Sequence, residues 1–215
     1  EKTRWTSGTK GRVLNTIKIA NVDTQGKLPP AIEQLMNAAT GGGVNHRLGI
    51  ILDDDSMAHA VLRATEKDYR RAHNTKRVEM AQQVRLDLIE YLREGPQVCS
   101  QELLGMDMDS VIAGLETGAA LDSRLFNRYF EERFGINLYV FMTPLIDNGR
   151  ERGTFLIPRS VGRHLRNHRV APGVALLFNR GSGKAATSRS NWAGGHYELI
   201  VTMQGKTPFG LYEIK

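Results

Sequence analysis

The chain has 215 residues, 40% hydrophobic and 24% charged, with a formal net charge of +6. That is long enough for a sizeable core and is most simply one globular domain, and no apolar run approaches the roughly 20 residues of a bilayer-spanning helix, so a transmembrane segment is excluded. Cys99 is the single cysteine, which excludes an intrachain disulfide and any multi-cysteine zinc site and fits the cytosol better than secretion.

The positive charge by itself supports only non-specific attraction to nucleic acid or acidic partners, so no specific nucleic-acid function is expected. Glu1 to Trp5 carry neither an initiator Met nor a signal-peptide apolar run, and the chain reads as a segment of something longer. Residues 1 to 27 predict at most a short strand around Val13 to Ile19. Pro29-Pro30 predicts a helix through about Asn37, which Gly41-Gly42-Gly43 breaks. Residues 1–44 are therefore expected to be an N-terminal extension with an accessory helix, and residues 45–215 the domain proper.

From Leu48 the pattern becomes regular. Leu48-Gly49-Ile50-Ile51-Leu52 is a short strand-like run that enters an acidic turn, Asp53-Asp54-Asp55, and Met57, Ala60, Val61 and Ala64 then repeat at helical spacing. A second helix is predicted over Val78 to Arg93, ended by Gly95-Pro96. Short helices are expected around Ser100 to Leu104 and Met108 to Leu115. A clearer one spans Asp122 to Phe134, with Gly135 suited to its C-terminal cap. The period then switches to two in Ile136 to Met142, Val174 to Phe178 and Tyr197 to Met203, with Phe209 to Ile214 a possible last strand. Helices followed by a sheet make an α+β fold.

Two halves of this pattern carry chemistry. A nucleophile-type residue that opens a helix after a tight turn meets free amide N–H groups and a partial positive charge, which stabilise a thiolate or an oxyanion. Ser56 holds that place, although a serine there is more often simply an N-cap. Near the other end, Gly194-Gly195-His196-Tyr197-Glu198 starts an apolar strand with a histidine. Residues two apart on a strand share a face, so Glu198 can lean on the His196 imidazole and fix its tautomer. Read singly, that histidine is more often structural and Glu198 a solvated rim residue.

Together the two halves point to a family. Asp53-Asp54-Asp55-Ser56-Met57-Ala58-His59-Ala60 resembles the Asp-Gly-Asp-Cys-Leu-Phe-x-Ala block of ovarian-tumour (OTU) cysteine proteases, which are deubiquitinases. The helix with Val84-Arg85 and Tyr91-Leu92, the strand Ile136 to Phe141, Ala175-Leu176-Leu177 and the closing His196-Tyr197-Glu198 follow in the family's order. The resemblance covers roughly residues 45 to 203, with nothing matched in 1–44. It implies a papain-like OTU fold, a central, mostly antiparallel sheet packed between helices.

Three departures stand out. Ser56 replaces the cysteine, Asp54 the usual glycine, and Glu198 the commoner Asp or Asn. An alkoxide is far harder to form than a thiolate, so Ser56 reads as a Cys→Ser substitution that silences turnover. The other readings are a natural serine enzyme and an inactive binding fold. Asp54 matters because in this family the N–H groups of the turn form the oxyanion hole, and a side chain restricts that loop.

What the resemblance implies is a thiol isopeptidase that cleaves after the C-terminal glycine of ubiquitin or a ubiquitin-like protein. A cysteine at 56 attacks, His196 removes and returns the proton, Glu198 holds the ring, and the backbone N–H groups of Asp54 and Ser56 bind the oxyanion. Asp53 is expected to shape the turn, with a place in the triad as the alternative. A ubiquitin tail carries arginines, so Asp55, Trp192 and Gly195 are candidate tail-binding residues, within an acidic turn and a loop that is either a wall over the tail or a plain surface loop. Arg163 to Arg169 reads as a solvated helix face, or as a grip on a second ubiquitin. The reaction needs no cofactor or metal. The partners implied are ubiquitin or its chains, in the cytosol, or in the host cytosol for a viral or bacterial protein. A non-catalytic ubiquitin-binding module and a polyprotein-processing protease of the same fold are the alternatives.

Overall fold

The computed structural model describes residues 19–40, 43–94, 105–142, 145–147, 150–152, 155–156, 172–179, 196–204, 207–209 and 211–212. Among them lie helices α1 (Pro30–Thr40), α2 (Ser56–Thr65), α3 (Lys67–Arg71), α4 (Asn74–Glu94), α5 (Met108–Glu116) and α6 (Ser123–Phe134). The strands are β1 (Gln25–Lys27), β2 (Asn45–Leu48), β3 (Asn137–Met142), β4 (Leu145–Asp147), β5 (Arg150–Arg152), β6 (Phe155–Leu156), β7 (Gly173–Asn179), β8 (His196–Gln204), β9 (Thr207–Phe209) and β10 (Leu211–Tyr212). The main sheet runs β1-β2-β8-β7-β3-β6, with β9 on β8 and β10 on β7, while β4 and β5 pair separately. Every pairing in it is antiparallel except β3 with β7.

Alternation along the central strands decides which layer packs where. Val174, Leu176, Tyr197, Leu199 and Val201 join the main core under α2, α4, α5 and α6, whereas Ala175, Leu177 and Ile200 face α1 through Leu28, Ile32 and Met36. Helices therefore cover both faces, and the α+β class and sheet arrangement expected from the sequence are those observed. Helix α2 lies inside the main core: Ser56 through Ala64 are all buried, and a helix apolar on nearly every side belongs in a core. Its alanines let it approach the sheet, while a Met57 or Leu62 taken from water contributes about 1.5–3 kcal/mol. Helix α4 buries Val84, Leu88 and Leu92, together with Arg77, and leaves most of its other charged residues outward. Asp122 caps α6 by accepting the Arg124 N–H, and Gly135 ends that helix at φ 60°, a left-handed conformation that a Cβ disfavours.

Four sequence expectations change. The strand before the acidic turn is Asn45–Leu48 rather than Leu48 to Leu52; beyond Leu48 the chain turns to bond Asp23 and Thr24, and Leu52 stands 65% exposed. Helix α4 starts at Asn74, with α3 between it and α2. The last strand is two short strands, β9 and β10, of which β9 begins two residues earlier than expected. Finally, the segment before residue 45 is no appendage in its described part. Strand β1 edges the main sheet against β2, and α1 closes one face. Asp23 bridges Arg63 of α2 and Arg77 of α4. Most of the Val13 to Ile19 strand, Gly41-Gly42, Cys99, the Ser100 to Leu104 helix and the Arg163 to Arg169 cluster lie outside the described residues.

Gly49 tests this integration. Its N–H bonds Thr24 O and its carbonyl accepts the Asp23 N–H, both at 2.9 Å, while a Cβ there would stand 2.0 Å from the Asn21 carbonyl oxygen. Gly49→Ala is expected to lower the stability measured by urea denaturation by about 1–3 kcal/mol. A domain beginning independently at residue 45 would be indifferent to it.

Candidate active site

The site forms where a strand stops. In the β2–β8 ladder Leu48 pairs with Leu199, and β2 goes no further, while β8 continues back to His196. The N–H of Tyr197 is taken instead by Ser56 Oγ, at 3.2 Å. This bond fastens the first residue of α2 beside the second residue of β8, 141 positions apart. Tyr197 is anchored from its other end too: its hydroxyl accepts the Ser123 N–H at 2.8 Å and donates to Ser123 Oγ at 3.1 Å. The residue just after the candidate histidine is thereby clamped between α2 and α6.

Ser56 and His196 are each only 1% exposed. Among the described residues both buried ring nitrogens of His196 have no hydrogen-bond partner, so within them Ser56 and His196 meet through the Tyr197 amide and not through a direct bond. Burial lowers the His196 pKa to about 4, with Asp53 pulling it up and His59 pushing it down. A neutral imidazole with no hydrogen bond to another described residue can accept a proton. An anion at position 56 would receive the Tyr197 N–H and lie at the positive end of α2, both of which favour the charged form.

The acidic turn divides its three carboxylates. Asp53 Oδ1 accepts the Asp55 N–H at 2.9 Å, and its Oδ2 lies 3.0 Å from His59 Nε2. Asp54 is exposed, and its carbonyl accepts the Leu121 N–H at 2.9 Å, tying the turn to the approach of α6. Asp55 is buried, with Arg85 Nε and Nη2 at 2.8 and 2.7 Å from its Oδ1. Arg85 also donates to the Leu115 and Ala119 carbonyls. The expectation that Asp55 binds a substrate tail is therefore corrected: its carboxylate is an internal brace, held by a guanidinium whose remaining donors are also engaged. Of the two N–H groups expected to bind an oxyanion, that of Ser56 donates to the Asp53 carbonyl at 3.3 Å, a long bond that a stronger acceptor can displace.

Glu198 is the second correction. The expected bond to the imidazole does not form. The carboxylate, fully buried, takes Arg47 Nη1 at 2.7 and 3.0 Å and the Ala20 N–H at 2.7 Å. The reason is reach and charge. Residues two apart on one strand sit nearly 7 Å apart, and a diagonal cross-strand neighbour is no closer, but Arg47 has the longer side chain and brings a full positive charge into the same buried layer. Burial still pushes the Glu198 carboxyl up, against the pull of Ala20 and Arg47. Asp53, the alternative third member, is the carboxylate whose charge reaches His196. Trp192 and Gly195 lie outside the described residues.

Sequence reasoning missed four residues here: Arg47, His59, Tyr69 and Arg85. Only His59 gave a signal, lying three positions after Ser56 and therefore on the same side of the helix.

No protein-family profile matches the chain, and no curated protein matches it in sequence. Among solved structures, the chain is similar to one described as "Structure of OTUD1 OTU domain", with 11% identity and a TM-score of 0.43, over 79% of this chain and 89% of that one.

Two measurements check this electrostatic picture. Arg47→Met leaves the Glu198 carboxylate buried beside an apolar group and is expected to cost about 3–5 kcal/mol of stability, most of it recovered when Glu198→Gln is added. His196 has a folded pKa of about 4 against 6.5 in the unfolded chain. As pH falls the unfolded chain is protonated first, so stability is lost between pH 6.5 and 4, by about 3 kcal/mol. His196→Leu should lose that component of the pH dependence in urea titrations.

Proposed function

We propose that this chain is a deubiquitinase domain of the ovarian-tumour type, a thiol isopeptidase acting after the C-terminal glycine of ubiquitin or a ubiquitin-like protein, and that Ser56 holds it silent. The observation that carries the reading is the clamp between the two motif ends: the Ser56 hydroxyl bonded to the backbone N–H of Tyr197, directly beside the buried His196. The ordered likeness of the acidic block and the closing His196-Tyr197-Glu198 to the OTU pattern supports this choice of family.

With a thiol at 56, the sulfur attacks the glycine carbonyl and its proton passes to His196. The imidazolium then protonates the leaving lysine amine as the C–N bond breaks, leaving an acyl-enzyme that water hydrolyses with His196 as base. Asp53, and not Glu198, supplies the negative charge that stabilises the imidazolium. The N–H groups at the start of α2 face the developing oxyanion. An oxygen at 56 fails at the first step, because its proton is held far more tightly than a thiol's and an imidazole titrating near 4 is a weak base.

A second reading is a non-catalytic ubiquitin-binding module, favoured by the serine itself. Ser56→Cys separates the two. The expected outcome is turnover of a fluorogenic C-terminal ubiquitin conjugate where the present sequence gives none, and its loss by a factor of at least about 100 when His196→Ala is added. A folded Ser56→Cys variant that binds ubiquitin in a calorimeter without turning over any conjugate would establish the binding module instead.

A further inference from the structure

We infer that His59 and Tyr69 are positioning residues that hold the Asp53 carboxylate in place for His196, through a Tyr69–His59–Asp53 chain of hydrogen bonds that runs from the core to the turn. The inference rests on the hydrolase reading of this site and adds two residues to its machinery.

Asp53 sits on a turn with its side chain 33% exposed, so left alone it would rotate into solvent. Two donors stop it. The Asp55 N–H fixes Oδ1 and His59 Nε2 fixes Oδ2, at 2.9 and 3.0 Å. His59 is fully buried within α2, and its Nδ1 lies 2.7 Å from the Tyr69 hydroxyl. Tyr69 is 2% exposed, its carbonyl accepts Arg77 Nε, and the Arg77 guanidinium stands 5.4 Å from its ring centroid. The chain therefore begins on a rigid anchor between α3 and α4 and ends at the turn.

The proton placement follows from what each group can do. A carboxylate only accepts, so His59 Nε2 carries the hydrogen. A neutral imidazole then accepts at Nδ1, and the Tyr69 hydroxyl donates to it; burial raises the phenol pKa and keeps that proton in place. Tyr69 in this way selects the tautomer that lets His59 grip Asp53. Among the described residues the charged or titratable groups that act on His196 are Asp53 on the turn and His59 on α2. Glu198 on its own strand is held by Arg47. Support for a positive charge on His196 thus depends on where Asp53 points, and His59 sets that direction without touching the reacting atoms.

The test uses the Ser56→Cys background and two readouts: kcat and KM on a fluorogenic ubiquitin conjugate, and the pH dependence of iodoacetamide alkylation of the introduced thiol, resolved from Cys99 by mass spectrometry. His59→Leu should lower kcat about tenfold with KM unchanged and move the acid limb of alkylation up by about one pH unit, because losing the placement of Asp53, the larger influence on His196, outweighs removing His59's smaller opposing one, and a less supported imidazolium makes the thiolate harder to form. His59→Gln, whose amide nitrogen can take the place of Nε2, should restore most of both. Tyr69→Phe should shift both in the direction of His59→Leu, by a smaller amount. An unmoved alkylation limb in a His59→Leu variant with native melting overturns the inference. Should that variant fail to fold, an unmoved limb in Tyr69→Phe overturns it equally. A shifted limb in variants that turn over no ubiquitin conjugate would uphold the chain of hydrogen bonds and sink the substrate reading alone.

Discussion

One hydrogen bond organises this molecule: the Tyr197 N–H donated to Ser56 Oγ. It exists because β2 stops at Leu48 while β8 runs on, leaving a backbone donor that must find a partner inside the protein. The N-terminus of α2 supplies it. Around this point the fold is tightly specified. Met57, Ala58, Ala60 and Val61 are sealed against the sheet, and Tyr197 is fixed to Ser123 by both atoms of its hydroxyl. Ser56 and the strand that opens with His196, far apart in the chain, are neighbours because a ladder ends early and a helix fills the gap.

Charge follows the same economy of partners. Three carboxylates in a row suggest a strongly negative patch, yet Asp55 is bound inward by Arg85, Asp53 is held between a backbone amide and His59, and Asp54 remains exposed. The same rule places Glu198 on Arg47. A buried carboxylate goes to the strongest donor within reach, and local sequence spacing does not show where that donor is.

Much of the architecture was legible because it rests on periodicity. The helical spacing from Ser56, the run ending at Gly135, and the alternation in β3, β7 and β8 each mark an observed element, and the alternating side chains of β7 and β8 divide between the two cores although nearly all are buried. The turn before α2 and the histidine at the start of β8 were legible as two ends of one place, which the Ser56–Tyr197 bond joins. What stayed hidden depends on cross-chain pairing. Arg47 meeting Glu198, Arg85 meeting Asp55 and Asp23 meeting Arg63 and Arg77 span from 30 to 151 positions, and no local pattern encodes them. For the same reason the segment before residue 45 read as an extension, although β1, α1 and the Ala20 amide are parts of the core assembly.

The Arg47–Glu198 pair also bears on how such a sequence can drift. Neither partner is tolerable alone in that layer, since a lone guanidinium or carboxylate there lacks both water and a counter-ion. Exchanging Glu198 for the shorter Asp or Asn without altering Arg47 would leave the guanidinium poorly matched, and would also release the Ala20 amide. Positions 20, 47 and 198 therefore form a linked unit, and relatives should show the changes arriving together, with an N-terminal segment seated differently wherever the carboxylate has been freed.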